Sequence, residues 1–394
     1  MRELSDATKL LTHGKTAGGL DFHKPQVFPF LPNTVFRFST LTESLNFPFP
    51  YIRMISPNSE ALADVVNCLE AGEETLICTA GMGAITTTLL ALLSPGDKAI
   101  CNRNIYGETF QVFATILPKF GIKTQFIDFN TSLDQLREAM TEDVKLIYSE
   151  VCANPTLYVA DVPALADIAH ASGARLMIDN TFTSSIAIKP LQLGADIVVN
   201  SLTKYMNGHS DAIGGSVTSS AEIIEKVRFY RTHFGTTGDA FDCFTMSKNF
   251  GTMDLRVRKQ MANAAKLAAV LEADSRVGRV NHPSLESYPY HELATKLFRS
   301  NEEMTGMLSF ELPEDIKKID KFLSSLKIAY YASSLGGLHT TLVHPVSTSH
   351  FDTPDAVRRE MGITPGLLRV SAGIEDIDDL IADFRQALDE MEKE

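Results

Sequence analysis

The chain has 394 residues, enough for two or three domains that each bury a hydrophobic core. Hydrophobic residues make up 44% of the sequence and charged residues 22%, which is typical of a globular protein in water. The net charge of −13 at pH 7 argues against a nucleic-acid partner, because neutralising phosphate groups requires a basic surface.

The five cysteines are widely scattered and form no CxxC pair, which indicates reduced thiols rather than a disulfide framework or a zinc site. No apolar stretch approaches the roughly 20 residues that a transmembrane helix needs. The N-terminus also lacks the apolar run of a signal peptide. We therefore expect a cytoplasmic protein without a membrane partner.

The N-terminal region, residues 1–58, contains six prolines and shows little periodicity. This composition predicts an extended arm that lies against another surface rather than folding alone. The first helix is predicted to begin with Ser59 as its N-cap and to end at Gly72.

The central region, residues 59–250, alternates short apolar runs with helical stretches. This pattern is typical of a doubly wound, mainly parallel sheet flanked by helices. The predicted strands are Thr75–Thr79, Lys98–Asn102, Thr124–Phe129, Lys145–Ser149, Arg175–Ile178 and Ile197–Asn200. The predicted helices between them cover residues 83–93, 107–120, 131–140 and 161–172.

The C-terminal region, residues 251–394, has a different texture. A long helical stretch over Arg256–Leu271 precedes a predicted strand over Met307–Leu312. The chain ends in an amphipathic helix that contains Ile377 and Met391 on its apolar face. We interpret this region as a smaller α+β domain that follows the arm and the α/β domain.

Four of the predicted strands end in polar or glycine-rich residues. Because ligands of open α/β sheets bind beyond the carboxyl ends of the strands, we expect these ends to converge on one site. The segments are Thr79–Gly83, Ser149-Glu150, Asp179-Asn180 and Asn200–Lys204.

The turn Gly81-Met82-Gly83 leads directly into a predicted helix. Backbone N–H groups at a helix N-terminus favour an anion such as phosphate. The alternatives are a turn without a ligand and a dinucleotide fold, since Gly81–Thr86 nearly spells GxGxxG. A dinucleotide fold needs an acid about 20 residues further on, where this chain has Cys101–Asn104.

Asp179 and Lys204 each follow a predicted buried strand. A carboxylate in that position either caps a helix, meets an arginine, or pairs with a protonated ring nitrogen, which makes a pyridine ring an electron sink. Most lysines are solvated surface groups. A desolvated lysine between hydroxyl side chains, however, would have a lowered pKa suited to Schiff-base and proton-transfer chemistry.

Seven short motifs follow one another along the chain. They are Tyr106-Gly107-Glu108-Thr109, Asn154-Pro155-Thr156, Asp179-Asn180-Thr181, Ser201-Leu202-Thr203-Lys204-Tyr205, Phe241-Asp242-Cys243, Ser334-Leu335-Gly336-Gly337 and Gly366-Leu367-Leu368-Arg369-Val370-Ser371. Over nearly its whole length, the sequence resembles the Cys/Met-metabolism family of fold-type I enzymes that use pyridoxal 5′-phosphate (PLP). That family includes methionine gamma-lyases, O-acetylhomoserine sulfhydrylases, and cystathionine synthases and lyases.

The resemblance implies a role for each matching residue around the cofactor. Lys204 carries PLP as a Schiff base, Asp179 pairs with the ring nitrogen, and Tyr106 stacks on the ring and acts as an acid or base. The phosphate is implied to be held by Gly81, Met82, Ser201 and Thr203.

The resemblance also implies contacts with the substrate and with other subunits. Arg369, Ser334 and Asn154 resemble the clamp on the substrate α-carboxylate, for which a guanidinium fork is suited. Tyr51 and Arg53 resemble the pair that reaches the phosphate of a neighbouring subunit. A homotetramer built from two active dimers is therefore implied.

Two positions depart from the patterns that separate the subfamilies. Glu108 stands where methionine gamma-lyases usually have Cys; it either recognises a polar or cationic substrate tail or points to solvent. His339 stands where cystathionine enzymes carry a Glu, and we take both residues as candidates for substrate binding. His339, His344 and His350 do not have the spacing of a metal site, and we expect no metal.

We predict a PLP-dependent lyase that performs γ-elimination on an amino acid with sulfur or another heteroatom at Cγ, giving a 2-oxo acid and ammonia. The close alternative is γ-replacement, as in an O-acetylhomoserine sulfhydrylase or a cystathionine gamma-synthase. A non-catalytic PLP-binding regulator and a dinucleotide oxidoreductase are more distant alternatives.

Overall fold

The described residues form two β-sheets, one of seven strands and one of five. The first two residues of the helix predicted over 131–140 lie outside the described residues, as do residues 1–3 and 16–25 of the predicted arm. The computed structural model describes residues 4–15, 26–129, 133–351 and 355–393.

The seven-stranded sheet has the spatial order β1-β7-β6-β5-β4-β2-β3, and only the pairs that involve β7 are antiparallel. Its strands are β1 (Glu74–Cys78), β2 (Lys98–Asn102), β3 (Lys123–Ile127), β4 (Val144–Glu150), β5 (Arg175–Asp179), β6 (Ile197–Ser201) and β7 (Gly215–Ser219). All six predicted strands are present, with ends within two residues of the predicted ones. The prediction of a mainly parallel sheet is confirmed.

Strand β7 has no counterpart among the predicted strands. Its sequence, Gly-Ser-Val-Thr-Ser, contains small and hydroxyl side chains instead of an apolar run. The strand lies between β1 and β6, and its first residue must be glycine, because a Cβ on Gly215 would lie 2.1 Å from the carbonyl oxygen of Ala80. The close approach of the backbone at Gly215 therefore explains the absence of a larger side chain at that position.

Helices flank both sheets. The α-helices are α1 (Asp6–Thr12), α2 (Leu41–Asn46), α3 (Pro57–Glu70), α4 (Gly81–Leu92), α5 (Gly107–Gln111), α6 (Leu133–Ala139), α7 (Val162–Ala171), α8 (Ser184–Ala187), α9 (Ala221–Phe234), α10 (Ala240–Asn249), α11 (Met253–Glu272), α12 (His291–Leu297), α13 (Ile316–Ser325), α14 (Asp355–Glu360) and α15 (Ile377–Glu392). The predicted helix 107–120 is α5 continued by a π-helical segment, Val112–Ile116, and a 3-10 turn, Leu117–Phe120.

Helix α3 begins and ends earlier than predicted, so Ser59 as N-cap was wrong. The N-cap is Ser56, whose side chain accepts from the Ser59 N–H in a capping box, and Pro57 occupies the first helical position. At the other end Ala71 adopts the left-handed conformation, with φ of 61°, before the chain reaches Gly72. A proline at the first position pre-sets the helical φ, which the expected start at Ser59 overlooked.

The five-stranded sheet has the order β10-β11-β12-β9-β8. Its strands are β8 (Val280–Asn281), β9 (Met307–Glu311), β10 (Tyr330–Tyr331), β11 (Thr341–Val343) and β12 (Leu367–Ser371). Three aromatic rings, from β9, α13 and α15, pack edge to face on one side: Phe310, Phe322 and Phe384 have centroids 5.9–6.2 Å apart. The expected boundary near residue 250 between two domains stays a prediction.

The N-terminal arm contains two short helices, α1 and α2, that its composition did not predict. Helix α1 is fixed by Asp6, which pairs with Lys189 at 3.1 Å and with Arg299 at 2.5 Å. The arm also presents apolar side chains to solvent, including Leu41 and Leu45, both about three-quarters exposed (75% and 76%). In the described part of the chain, no helix combines the length and the apolar character that crossing a bilayer demands.

Candidate active site

A cavity of about 570 Å³ opens at the carboxyl ends of the parallel strands. All of the predicted site residues line this cavity except Tyr51, Arg53 and His339. The convergence expected from the strand ends is therefore present. The lining residues among the predicted ones are Gly81, Met82, Tyr106, Glu108, Asn154, Asp179, Ser201, Thr203, Lys204, Ser334 and Arg369.

One end of the cavity is an anion-binding arrangement. Gly81 is the first residue of α4, so the free backbone N–H groups of the first helical turn face this end. A Cβ on Gly81 would lie 2.8 Å from the Cβ of Ser201, so only glycine allows the helix to come this close to β6. The Ser201 N–H donates to Thr181 Oγ1 at 2.8 Å, and the Gly214 N–H donates to Thr203 Oγ1 at 3.0 Å.

Asp179 lies at the end of β5 and faces the cavity. Its carboxylate accepts the Thr181 N–H at 2.8 Å and the Tyr148 hydroxyl at 3.4 Å. Burial raises the pKa of Asp179, and no Lys or Arg among the described residues forms an ion pair with it. Among the described residues, Asp179 therefore has no arginine partner, which was one of the alternatives considered for it. Its carboxylate is suited to a cationic ligand atom.

Lys204 follows β6 and directs its amine at the opposite wall. Its Nζ donates to Ser334 Oγ at 3.0 Å. Burial lowers the pKa of the Lys204 ammonium, and the nearby Arg369 guanidinium lowers it further. A neutral amine is the form that attacks a carbonyl carbon or accepts a proton.

Arg369, on β12, brings the second sheet into the site. Its Nη1 donates to Asn154 Oδ1 at 3.0 Å and its Nη2 donates to the Ser334 carbonyl at 2.9 Å. Its Nε is buried without a hydrogen-bond partner among the described residues. Burial lowers the pKa of Arg369 to about 10, so the side chain remains cationic at neutral pH and can still donate to a carboxylate.

Ser334 adopts an uncommon backbone conformation for a non-glycine residue, with φ of 98°. This conformation brings its hydroxyl to Lys204 and its carbonyl to Arg369. Gly336 follows two residues later; a Cβ there would lie 2.5 Å from the Tyr205 backbone nitrogen. The Ser334–Gly336 segment is therefore packed tightly on the turn that carries the lysine.

Tyr106 and Glu108 stand at the mouth of the cavity. Tyr106 is 40% exposed, and burial of the rest of the ring together with the Glu108 carboxylate raises the pKa of its phenol. Glu108 is exposed and lines the cavity. The Tyr106 hydroxyl therefore stays protonated over a wider pH range than a free tyrosine.

Two residues of the site were missed as site residues. Glu150 ends β4 and accepts the backbone N–H of Tyr106; its strand-end position was a usable signal, but no role was assigned to it. Arg256, on α11, donates to the carbonyls of Tyr205 and Met206 at 3.2 and 3.1 Å and so fixes the turn after Lys204. About 50 residues separate it from that turn, so no local pattern could have identified it.

The remaining three predicted residues lie outside the cavity lining. Arg53 donates to the Thr232 carbonyl at 2.8 Å and lies 5.4 Å from the centre of the Tyr51 ring. His339 is exposed, with Nδ1 4.0 Å from a Glu375 carboxylate oxygen. The structure therefore does not bring these residues to the cavity of their own chain.

The arrangement fits PLP on three independent features. The start of α4 with Ser201 and Thr203 suits a phosphate, the buried carboxylate of Asp179 suits a protonated ring nitrogen, and the amine of Lys204 suits an aldehyde. In the described ranges, no group of three or more His, Cys, Asp or Glu side chains is placed to hold a metal ion.

Comparison with known proteins gives consistent matches along the chain. Residues 8–389 match the family described as Cys/Met metabolism PLP-dependent enzyme. The chain is 36% identical over 344 residues to L-methionine gamma-lyase of Fusobacterium nucleatum subsp. polymorphum, covering 86% of each chain. It is also 36% identical over 346 residues to cystathionine gamma-lyase of Dictyostelium discoideum, covering 88% of each chain.

Among solved structures, cystathionine gamma synthase from Xanthomonas oryzae pv. oryzae matches with a TM-score of 0.94 and 32% identity, over 99% of both chains. Cystathionine gamma-lyase from Lactobacillus plantarum matches with a TM-score of 0.92 and 28% identity, over 99% of this chain and 100% of the other. Both the architecture and the sequence therefore point to the same group of proteins.

Proposed function

The chain belongs to the Cys/Met metabolism family of PLP-dependent enzymes, and from that membership we propose that it is a lyase that removes the γ-substituent of a methionine- or homocysteine-like amino acid. The overall reaction consumes one water molecule and gives a 2-oxo acid, ammonia and the released thiol. The enzyme uses PLP and acts by γ-elimination or γ-replacement. Elimination, the substrate and the roles of individual residues are our proposal.

The observation that carries the proposal is that the lysine amine and the proposed carboxylate clamp both contact the same residue, Ser334. Lys204 Nζ and Arg369 Nη2 both contact Ser334, at 3.0 and 2.9 Å. A substrate whose α-carboxylate is bound by Arg369 therefore has its α-carbon next to the amine. PLP, when bound, supplies the electron sink that stabilises negative charge at that carbon.

Lys204 is the residue that holds the cofactor and, once free, the base for the α-proton. Burial and Arg369 lower the pKa of its ammonium, so Nζ is a better proton acceptor at neutral pH than an exposed lysine. Its position beside Ser334 keeps the amine aimed at the substrate rather than at solvent.

Tyr106 is the acid that protonates the departing γ-substituent. The raised pKa of its phenol keeps the proton on the hydroxyl at neutral pH, where it is available to the departing group as the bond at Cγ breaks. Glu108 contributes to that raised pKa and lies where the distal part of the substrate leaves the cavity. Glu108 and His339 both stay candidates for substrate binding.

The second candidate function is γ-replacement, in which a thiol or sulfide adds where the γ-substituent left. The similarity to a cystathionine gamma synthase along 99% of the chain favours it. The two reactions share their first steps and differ only in whether an acceptor thiol is required.

We also propose that the protein is a homotetramer built from two active dimers and that it is cytoplasmic. The assembly is supported by Tyr51 and Arg53, which lie on the arm and away from their own cavity. The location is supported by five free cysteines, four of them buried.

The test uses the holoenzyme with L-methionine, L-homocysteine and O-acetyl-L-homoserine, each with and without sulfide. Release of 2-oxobutyrate without sulfide supports the lyase, whereas strict dependence on sulfide overturns it in favour of replacement. Lys204→Ala should abolish both turnover and the visible absorption of lysine-bound PLP. Lys226→Ala, which removes an exposed lysine, is the matched control.

A further inference from the structure

Glu150 is a buried carboxyl group in the cavity wall that the proposed mechanism does not use. It ends β4, is 6% exposed, and is paired in register with Asp179 of the neighbouring parallel strand. Two buried carboxyl groups side by side are costly unless their oxygens are hydrogen-bonded. The hydrogen-bond partners of Glu150 therefore indicate what this buried carboxyl group does.

The two oxygens of Glu150 bind two different segments of the chain. Oε1 accepts the Tyr106 backbone N–H at 2.6 Å, and Oε2 accepts the Asn154 backbone N–H at 3.3 Å. Tyr106 is the N-cap residue of α5, whereas Asn154 belongs to the loop after β4 and accepts from Arg369 through its side chain. One carboxyl group thus joins the segment of the proposed acid to that of the carboxylate clamp.

We propose that Glu150 is a positioning residue that fixes the Tyr106 segment relative to the Asn154 segment, and so sets the distance between the proposed acid and the substrate clamp. This inference rests on the proposed function, from which it takes the roles of Tyr106 and Asn154. The geometry does not require Glu150 to touch the substrate.

The protonation state of Glu150 is consistent with this role. Burial raises the pKa of Glu150, and the negative charge of Asp179 raises it further. The titratable groups that interact with it from the packed elements are all acids: Cys101, Tyr106, Tyr148, Cys152 and Asp179. A protonated carboxyl still accepts both N–H bonds through its oxygen lone pairs, while Asp179 alone carries negative charge toward the ligand.

The experiment compares Glu150→Ala and Glu150→Gln with the parent holoenzyme. L-Norleucine is the probe, because it has an α-carboxylate and a methionine-like chain but no γ-heteroatom to lose. Its binding is followed by the change in the visible spectrum of bound PLP. Peptide hydrogen exchange of residues 103–110 and 151–157, in apoenzyme and holoenzyme, reports the two segments directly.

Glu150→Ala should speed exchange in both segments and weaken L-norleucine binding about tenfold, the effect of losing one or two hydrogen bonds. Glu150→Gln has one acceptor oxygen and should loosen one segment with a smaller loss of affinity. The affinity of the parent protein for L-norleucine should fall as the pH rises, because an ionised Glu150 adds a second negative charge beside Asp179. Glu150→Gln should remove that fall. Glu142→Gln, an exposed carboxylate before β4, should behave as the parent.

The inference is overturned if Glu150→Ala exchanges like the parent in both segments and binds L-norleucine within twofold of the parent value. If Glu150→Ala does not fold, the nearly isosteric Glu150→Gln decides the same question by exchange and by its pH profile. A parent protein without visible PLP absorption would contradict the proposed function instead, and the exchange measurement on apoenzyme would still test Glu150.

Discussion

Arg369 is buried, yet uses only part of its hydrogen-bonding capacity within the protein. Each terminal nitrogen has one protein acceptor, and a guanidinium offers five N–H donors. A substrate carboxylate can therefore bind without displacing Asn154 or Ser334. These remaining N–H donors of Arg369 are the basis of the proposed carboxylate clamp.

Arg369→Lys should raise KM for the amino-acid substrate about 100-fold, because a lysine point charge cannot form the paired bonds of a guanidinium fork. The measurement is steady-state kinetics at saturating PLP, with the visible spectrum as the check that cofactor remains bound. Arg359→Lys, which alters an exposed pair with Glu314, should leave KM unchanged. A KM within twofold of the parent would remove Arg369 from the clamp.

His282 makes the stability of the protein depend on pH. It is fully buried; Nε2 donates to the Thr305 carbonyl at 3.2 Å and Nδ1 accepts the Ser284 N–H at 3.1 Å. Burial lowers the pKa of His282 to about 4 from its ordinary 6.5. Because burial disfavours the charged imidazolium, the folded state holds the neutral form.

Since the unfolded chain binds this proton below pH 6.5 and the folded chain only near pH 4, the contribution of His282 to stability is highest above pH 6.5. It should fall by up to about 3 kcal/mol as the pH drops from 6.5 toward 4. Urea unfolding of His282→Gln between pH 7.5 and 4.5 should show a shallower loss than the parent. The exposed control His233→Gln should keep the parent slope; equal slopes for all three proteins would contradict the prediction.

At the scale of elements, the start of α4 is constrained by its contact with β6. Gly81→Ala would place a Cβ 2.8 Å from the Cβ of Ser201, and one of these two elements must move. Both contribute to the proposed phosphate site, so we expect PLP affinity to fall about tenfold, the effect of a moderate steric shift.

Titration of the apoenzyme with PLP measures this affinity. Gly251→Ala is the matched control, because a Cβ at Gly251 meets no atom within 4 Å. If Gly81→Ala binds PLP as tightly as the parent and Gly251→Ala also has normal affinity, the start of α4 does not contribute to phosphate binding.

On the scale of the whole molecule, contacts within a single chain do not explain the position of the arm. It exposes Leu41 and Leu45, and it holds Tyr51 and Arg53 away from the cavity of its own chain. Burial of these apolar side chains against another protein surface would be favourable. A second copy of the chain fits the proposed homotetramer.

Subunit mixing tests whether the site is shared. Arg53→Ala and Lys204→Ala should each be inactive or strongly impaired alone. A refolded equimolar mixture should regain about a quarter of the parent activity, because half of the dimers are mixed and each mixed dimer has one intact site. No recovery in a mixture whose mixed dimers are verified by mass would show that Arg53 does not serve a neighbouring site.

The sequence by itself determined six strands of the main sheet and which residues we propose for the cofactor site. Most of the six predicted strands carry short apolar runs because the central strands of the sheet are covered on both faces, and such runs are visible locally. Polar residues at the strand ends, Asp179 and Lys204 among them, then follow from the rule that ligands bind at the carboxyl edge. The family motifs added the remaining site residues, including Arg369.

Only the tertiary structure decided which distant residues meet. Strand β7 lies between β1 and β6, and its small and hydroxyl side chains leave no apolar pattern in the sequence. Arg369 reaches Asn154 across 215 positions of sequence, and Glu150 joins Tyr106 to Asn154 through backbone N–H groups. Backbone N–H groups are the same in every residue but proline, so no side-chain pattern can predict which carboxylate will bind them.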